Sequence, residues 1–162
     1  MSDSARRLLV FEVGEHRLAV EARRVLEVLE PLDATPIPGA DPYVEGLVNL
    51  RGTLAVMANL AGLLDIGGEA RPAEPALVVL ERDSQRLALR VDRVVGVLPY
   101  PAAALEIDSD VLEALGAREL ISGVGEMEGQ PFVQLDLDAI FRRVLFQPGD
   151  HDRSPQTASR GG

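Results

Sequence analysis

The chain has no cysteine, no lysine and only two histidines in 162 residues. Without cysteine there is no disulfide and no thiolate metal ligand, a composition that leaves a reducing compartment open without proving it. A nucleophilic triad has no visible members either, because Gly-x-Ser-x-Gly is missing and the histidines are poorly placed for a rigid base. His16 falls in a turn expected from the sequence, and His151 falls in a Pro/Gly/Ser-rich tail. Neither the Gly-x-x-x-x-Gly-Lys-Ser/Thr loop nor Gly-x-Gly-x-x-Gly occurs, so nothing is set up to cradle a phosphate. No apolar run reaches eighteen residues and the N-terminus has no apolar stretch of signal-peptide length, so the sequence reads as soluble and cytoplasmic, with no direct membrane insertion. The formal charge of −10 argues against nucleic acid, whose backbone is bound by basic side chains. That all sixteen basic residues are arginine reads as base composition rather than function.

Two carboxylate pairs, Asp136/Asp138 and Asp108/Asp110, are read as helix-end features, since acidic side chains favour a helix N-terminus. The expectation is therefore no enzyme, no cofactor and no metal.

What the sequence does contain is a duplication. A shift of 69 residues lays 17–29 over 86–98 with seven identities in thirteen. A shift of 77 lays 44–52 over 121–129 and keeps both glycines, Gly46/Gly52 and Gly123/Gly129, six apart. Asn49-Leu50-Arg51 becomes Glu126-Met127-Glu128, so the copies differ at one hairpin tip while the scaffold around it repeats.

Short apolar runs separated by Gly or polar turns predict hairpins: 8–13 with 17–20, 76–81 with 86–91, 44–50 with 54–60, and 121–127 with 132–137. The third carries Arg51-Gly52 at its tip. A short helical turn feeding a strand is expected over 21–29. Residues 31–42 and 67–75 are Pro/Gly-rich connections, 109–115 reads as a short helix, 136–146 as an amphipathic C-terminal helix and 148–162 as a disordered tail. The fold class is mainly all-β, with two small antiparallel barrels, one per repeat: about 8–66 and about 75–137 within a single domain of residues 1–147.

The segment Pro42-Tyr43-Val44-Glu45-Gly46-Leu47-Val48-Asn49-Leu50-Arg51-Gly52 resembles the signature of the CheW family, the adaptors of bacterial chemosensory arrays. Pro36-Ile37-Pro38-Gly39, Val25-Leu26-Glu27-Val28 and Val91-Asp92-Arg93-Val94 match the same pattern, and the resemblance runs from about Leu8 to Leu145. It implies two five-stranded SH3-like β-barrels and a non-catalytic adaptor joining the cytoplasmic tip of a methyl-accepting chemoreceptor to the regulatory domain of a CheA-type histidine kinase at membrane-associated arrays. The receptor-contact positions it implies are Val25, Glu27, Val28, Asn49, Arg51 and Gly52. Arg51 has two candidate partners, Glu27 or a receptor carboxylate, and the purely structural alternative is that it pins the barrel junction. The kinase contact stays unassigned; Leu87, Leu89 and Val91 are strand positions better suited to a core.

One stretch departs from the family. Where the pattern continues Pro-x-x-Asp-Leu-Arg, this chain has Val56, Asn59 and Ala61 in place of proline, aspartate and arginine. The loss of a carboxylate and a guanidinium suggests a missing polar tie, and with it a specialised or auxiliary adaptor, or a decoy that binds the kinase but no receptor. A module binding a small ligand between the barrels is the other alternative.

Overall fold

A computed structural model describes residues 5–101 and 118–145. The short helix expected at 109–115, the Asp108/Asp110 pair, His151 and the tail from 148 lie outside them.

The four expected hairpins all form. β1 (Ala5–Val13) and β2 (His16–Glu21) turn at Gly14, and a 3-10 turn at Ala22–Arg24 leads into β3 (Val25–Leu29). β4 (Val44–Leu50) and β5 (Thr53–Asn59) turn at Arg51-Gly52 and run into a five-residue helix, α1 (Leu60–Leu64). The second copy supplies β6 (Ala76–Arg82), β7 (Gln85–Val91), β8 (Arg93–Pro101), a 3-10 turn at Arg118–Leu120, β9 (Ile121–Met127), β10 (Gln130–Leu135) and α2 (Leu137–Leu145). His16 opens β2, opposite Val13, rather than lying in the turn.

The strands form two five-stranded sheets, ordered β8-β1-β2-β10-β9 and β3-β6-β7-β5-β4. Replacing each strand by its repeat partner converts one order into the other, so the duplication is a pseudo-two-fold of the whole fold. Even the single parallel pairing repeats, β2 with β10 and β7 with β5.

This corrects the expected one barrel per repeat over 8–66 and 75–137. The first hairpin of each copy is built into the other copy's sheet: β1 and β2 join β8 to β10, while β6 and β7 join β3 to β5. The two copies present similar apolar faces, so a hairpin can find cover in either sheet. β6 is buried along Ala76 to Leu80, and such a strand needs cover on both sides.

Alternation then sorts the side chains into three cores. Leu8, Val10, Ala19, Met127 and Phe132 fill one barrel, and Val48, Leu50, Ala55, Met57, Leu77, Val79 and Ala88 fill the other. The intervening positions, among them Leu9, Phe11, Leu18, Val78, Leu80, Leu87 and Leu89, form a larger core between the two sheets. α2 adds Leu137, Ile140, Phe141 and Val144 to it, the face its 3.6-residue period predicts.

Candidate functional site

The site is built from the two edges of one sheet. β3 and β4 stand at opposite ends of the order β3-β6-β7-β5-β4, yet a side chain at the β4–β5 tip reaches β3, which shows how far the sheet curls. The tip is a two-residue turn with positive φ at both positions, +54° at Arg51 and +89° at Gly52. Two successive positive φ values match the right-handed twist of a tight hairpin, a conformation glycine takes freely and arginine does not. Asn49 Oδ1 accepts the Gly52 N–H at 2.7 Å and so satisfies a donor the strand ladder leaves over.

From this turn the Arg51 Nη1 donates to Glu27, 3.2 Å from Oε1 and 3.4 Å from Oε2. Glu27 is largely covered, its side chain 22% exposed, whereas the Arg51 side chain is 78% exposed. An ion pair that open to water contributes about 0.2–1 kcal/mol, little of the stability of a domain. What it does is orient a guanidinium whose remaining donors face outward, with a fork geometry suited to a carboxylate.

The pair ties two edges of one sheet, so it does not pin the junction between the barrels, which was the structural alternative for Arg51.

Of the six positions implied by the resemblance, Glu27, Asn49, Arg51 and Gly52 come together at this tip. The valines do not share its face. β3 carries a bulge: Val25 pairs with Leu80 and Glu27 with Val79, so the ladder passes over Leu26. Val25 packs against the core between the sheets, while Val28 points outward and is 42% exposed.

Two exposed apolar residues near these positions are not among the six. Leu26, at the bulge, is 42% exposed, and Leu54, opposite Asn49 across the hairpin, is 61% exposed. A leucine on the first residues of a strand that follows a polar tip has no periodicity of its own, and β3 fits either alternation until its bulge is known. Leu87, Leu89 and Val91 are buried in the core between the sheets and cannot meet a partner.

The pseudo-equivalent tip shows what the fold alone requires. Glu128 and Gly129 have φ of +53° and +80°, close to those of Arg51 and Gly52. β8 repeats the bulge, with Val10 opposite Gly96 and Phe11 opposite Val94, and places Gly96 where β3 has Glu27. The two tips share one backbone, but the second has no carboxylate on its edge strand and a negative residue in place of arginine.

The departures at Val56, Asn59 and Ala61 are mild. Asn59 caps α1, its Oδ1 accepting from the N–H of Ala61 at 2.9 Å and of Gly62 at 3.4 Å. An asparagine oxygen does this as well as a carboxylate, so the expected loss of a polar tie does not occur at this position. In the second copy Asp136 caps α2 by accepting the Ala139 N–H, and Asp138 in the first turn pairs with Arg24 and Arg82, the structural roles expected of that acidic pair. Val56 is a half-buried strand position between Leu47 and Leu87, and the methyl of Ala61 faces Gly68 of the joint between the halves.

Among the described residues no three His, Asp or Glu converge to hold a metal, and no helix is long and apolar enough to cross a membrane. The clefts are open and polar. One of about 260 Å³ is lined by Glu21, Arg24, Ser122 and Asp138 among others, and one of about 400 Å³ by Glu12, Glu15, Arg17 and Gln130 among others. Neither touches the Arg51 tip.

Residues 7–145 match the CheW-like domain family. A chemotaxis protein CheW of Thermotoga maritima is 30% identical over 142 residues, covering 88% of this chain and 91% of that protein. The protein PilI of Pseudomonas aeruginosa is 29% identical over 138 residues, covering 84% and 75%. Among solved structures, the scaffolding protein TtCheW of Thermoanaerobacter tengcongensis superposes with a TM-score of 0.75 at 23% identity, covering 82% of this chain and 84% of that one.

Proposed function

The chain belongs to the CheW-like domain family, a family of non-catalytic chemosensory scaffold adaptors, and from that premise we propose that it couples a chemoreceptor to a CheA-type histidine kinase. The receptor's cytoplasmic tip meets the Glu27–Arg51 site, and the kinase's regulatory domain meets a surface not yet assigned. In this reading the chain has no membrane contact of its own and is recruited to receptor arrays through these partners.

The observation that carries the proposal is the difference between two tips of equal backbone. The fold builds the Arg51-Gly52 and Glu128-Gly129 turns alike, yet only the first presents an exposed guanidinium steadied by a carboxylate on the neighbouring edge. Folding does not demand that difference, and an exposed pair adds too little stability to account for it. A helical receptor tip can set apolar side chains against Val28 and Leu26 while a carboxylate meets Arg51 and fixes the register.

The decoy reading, kinase binding without receptor binding, draws on the altered 56–61 strand and loses most of its support because Asn59 keeps the cap. A small-ligand module draws no support from the two clefts described, since neither touches the Arg51 tip. The deciding measurement is titration calorimetry of the protein against a CheA regulatory domain, with and without a receptor-tip fragment. Binding to both partners is expected; kinase binding alone would establish the decoy, and binding to neither would remove the adaptor reading.

A further inference from the structure

Arg51 is held at both ends. Its guanidinium is tied to Glu27, and its backbone sits in a left-handed conformation that costs a non-glycine residue about 1–2 kcal/mol. The contact that closes the backbone end is the 2.7 Å bond from the Gly52 N–H to Asn49 Oδ1. We infer that Asn49 is a positioning residue for the receptor contact, acting through the Arg51-Gly52 turn rather than by touching the partner. The inference rests on the adaptor reading above and deepens it.

Three observations on the two hairpins carry it. The equivalent turn at Glu128-Gly129 adopts nearly the same φ values with Glu126 in the place of Asn49, so the hairpin itself does not need asparagine. Asn49 lies two residues before the arginine, where a short side-chain oxygen reaches the N–H of the residue after it; this Asx geometry reduces the freedom of the very peptide unit from which Arg51 projects. Finally, the other restraint on Arg51 among the described residues is an ion pair through a side chain that is itself 78% exposed. An arginine on a loose turn would have to be ordered by its partner, and that ordering subtracts from affinity. A turn already closed by Asn49 leaves less to order.

The test is a double-mutant cycle with a receptor-tip fragment, using wild type, Asn49→Ala, Arg51→Ala and the double variant, each checked for cooperative unfolding. Asn49→Ala should weaken binding about three- to tenfold, the range of one neutral hydrogen bond. In the Arg51→Ala background the same change should have no further effect, because the residue through which Asn49 acts is gone. Additive losses would show that Asn49 meets the partner directly and would overturn the inference.

A second readout needs no partner. The Gly52 amide should be protected from hydrogen exchange in wild type and in Asn49→Asp, which keeps the accepting oxygen, and should lose that protection in Asn49→Ala. Equal exchange in all three would overturn the inference as well. If wild type binds no receptor fragment, the adaptor reading fails and the positioning role falls with it. Binding by wild type with an additive cycle removes the positioning role alone.

Discussion

Gly46 sits inside the signature that marks the family, and the structure makes it a folding residue rather than a contact. Its φ is +140°, and a Cβ built there would overlap the Thr35 carbonyl. That carbonyl accepts the Leu47 N–H at 2.9 Å, while the Thr35 N–H donates to the Leu47 carbonyl at 2.8 Å. The reciprocal pair holds the Pro-rich 31–42 connection against β4. Gly46→Ala therefore carries two costs. The backbone strain is of order 1–3 kcal/mol, and displacing Thr35 forfeits two hydrogen bonds worth about 0.5–1.5 kcal/mol each. Together they come to about 2–6 kcal/mol, or a fall in Tm of about 4–24 °C for a domain of this size. Gly39→Ala is the control, with φ of +81° and no atom within 4 Å of the place a methyl would take, so it bears only the conformational cost of about 1–2 kcal/mol. Urea denaturation and scanning calorimetry of both variants measure the difference. If Gly46→Ala is no less stable than Gly39→Ala, the close approach of Thr35 is not what requires glycine.

Three further outcomes follow from the same geometry. Asn59→Ala should lose about 0.5–2 kcal/mol by uncapping α1, whereas Asn59→Asp should stay near wild type, as read by chemical denaturation. At Glu12, burial raises the carboxyl pKa, but hydrogen bonds from Arg17 and Arg93 outweigh it, and the net value lies below the ordinary 4.5. The stability from this cluster is thus full above that ordinary value and is lost as pH falls through the lower folded-state value, so the gap between wild type and Glu12→Gln should shrink on acidification when urea midpoints are compared from about pH 7 down to about pH 3. Because each sheet takes a hairpin from the opposite copy, residues 1–70 and 71–162 expressed apart should each give the NMR spectrum of an unfolded chain and together reconstitute the native one; a folded half would contradict the exchange.

The hairpins were legible because their signals are local. Alternating apolar runs around a glycine or polar turn predict the hairpin strands within three residues, and the tip at Arg51-Gly52 follows from them. The duplication was equally legible, since it needs only self-comparison. Partner choice was not. Copies with similar faces can pair within themselves or exchange hairpins, and nothing in their order along the chain tells which. α1 escaped notice because five residues make little more than one turn and continue directly from β5. The candidate site was half legible: the hairpin tip follows from its local pattern and Glu27 from the family resemblance, but a bulge invisible in the sequence turns Val25 toward the core and leaves Leu26 outside the ladder.

A duplicated fold contains its own control. Under the pseudo-two-fold, the edge strands, their bulges, the two-residue turns and the helix caps at Asn59 and Asp136 all have counterparts, so each is accounted for by folding. Duplicated ion pairs make the same point: Glu12 with Arg17 at 3.1 Å corresponds to Glu81 with Arg86 at 3.4 Å. The Glu27–Arg51 pair breaks the pattern, because Gly96 and Glu128 stand in its place. Identical backbone with opposite charge cannot be explained by the hairpin, and a pair this exposed is too weak to be explained by stability. Recognition by a partner is the reading we propose for it, and it has a direction. A chain whose formal charge is −10 repels an acidic segment over most of its surface, so an outward guanidinium on a restrained turn marks a place where such a segment can be received and oriented.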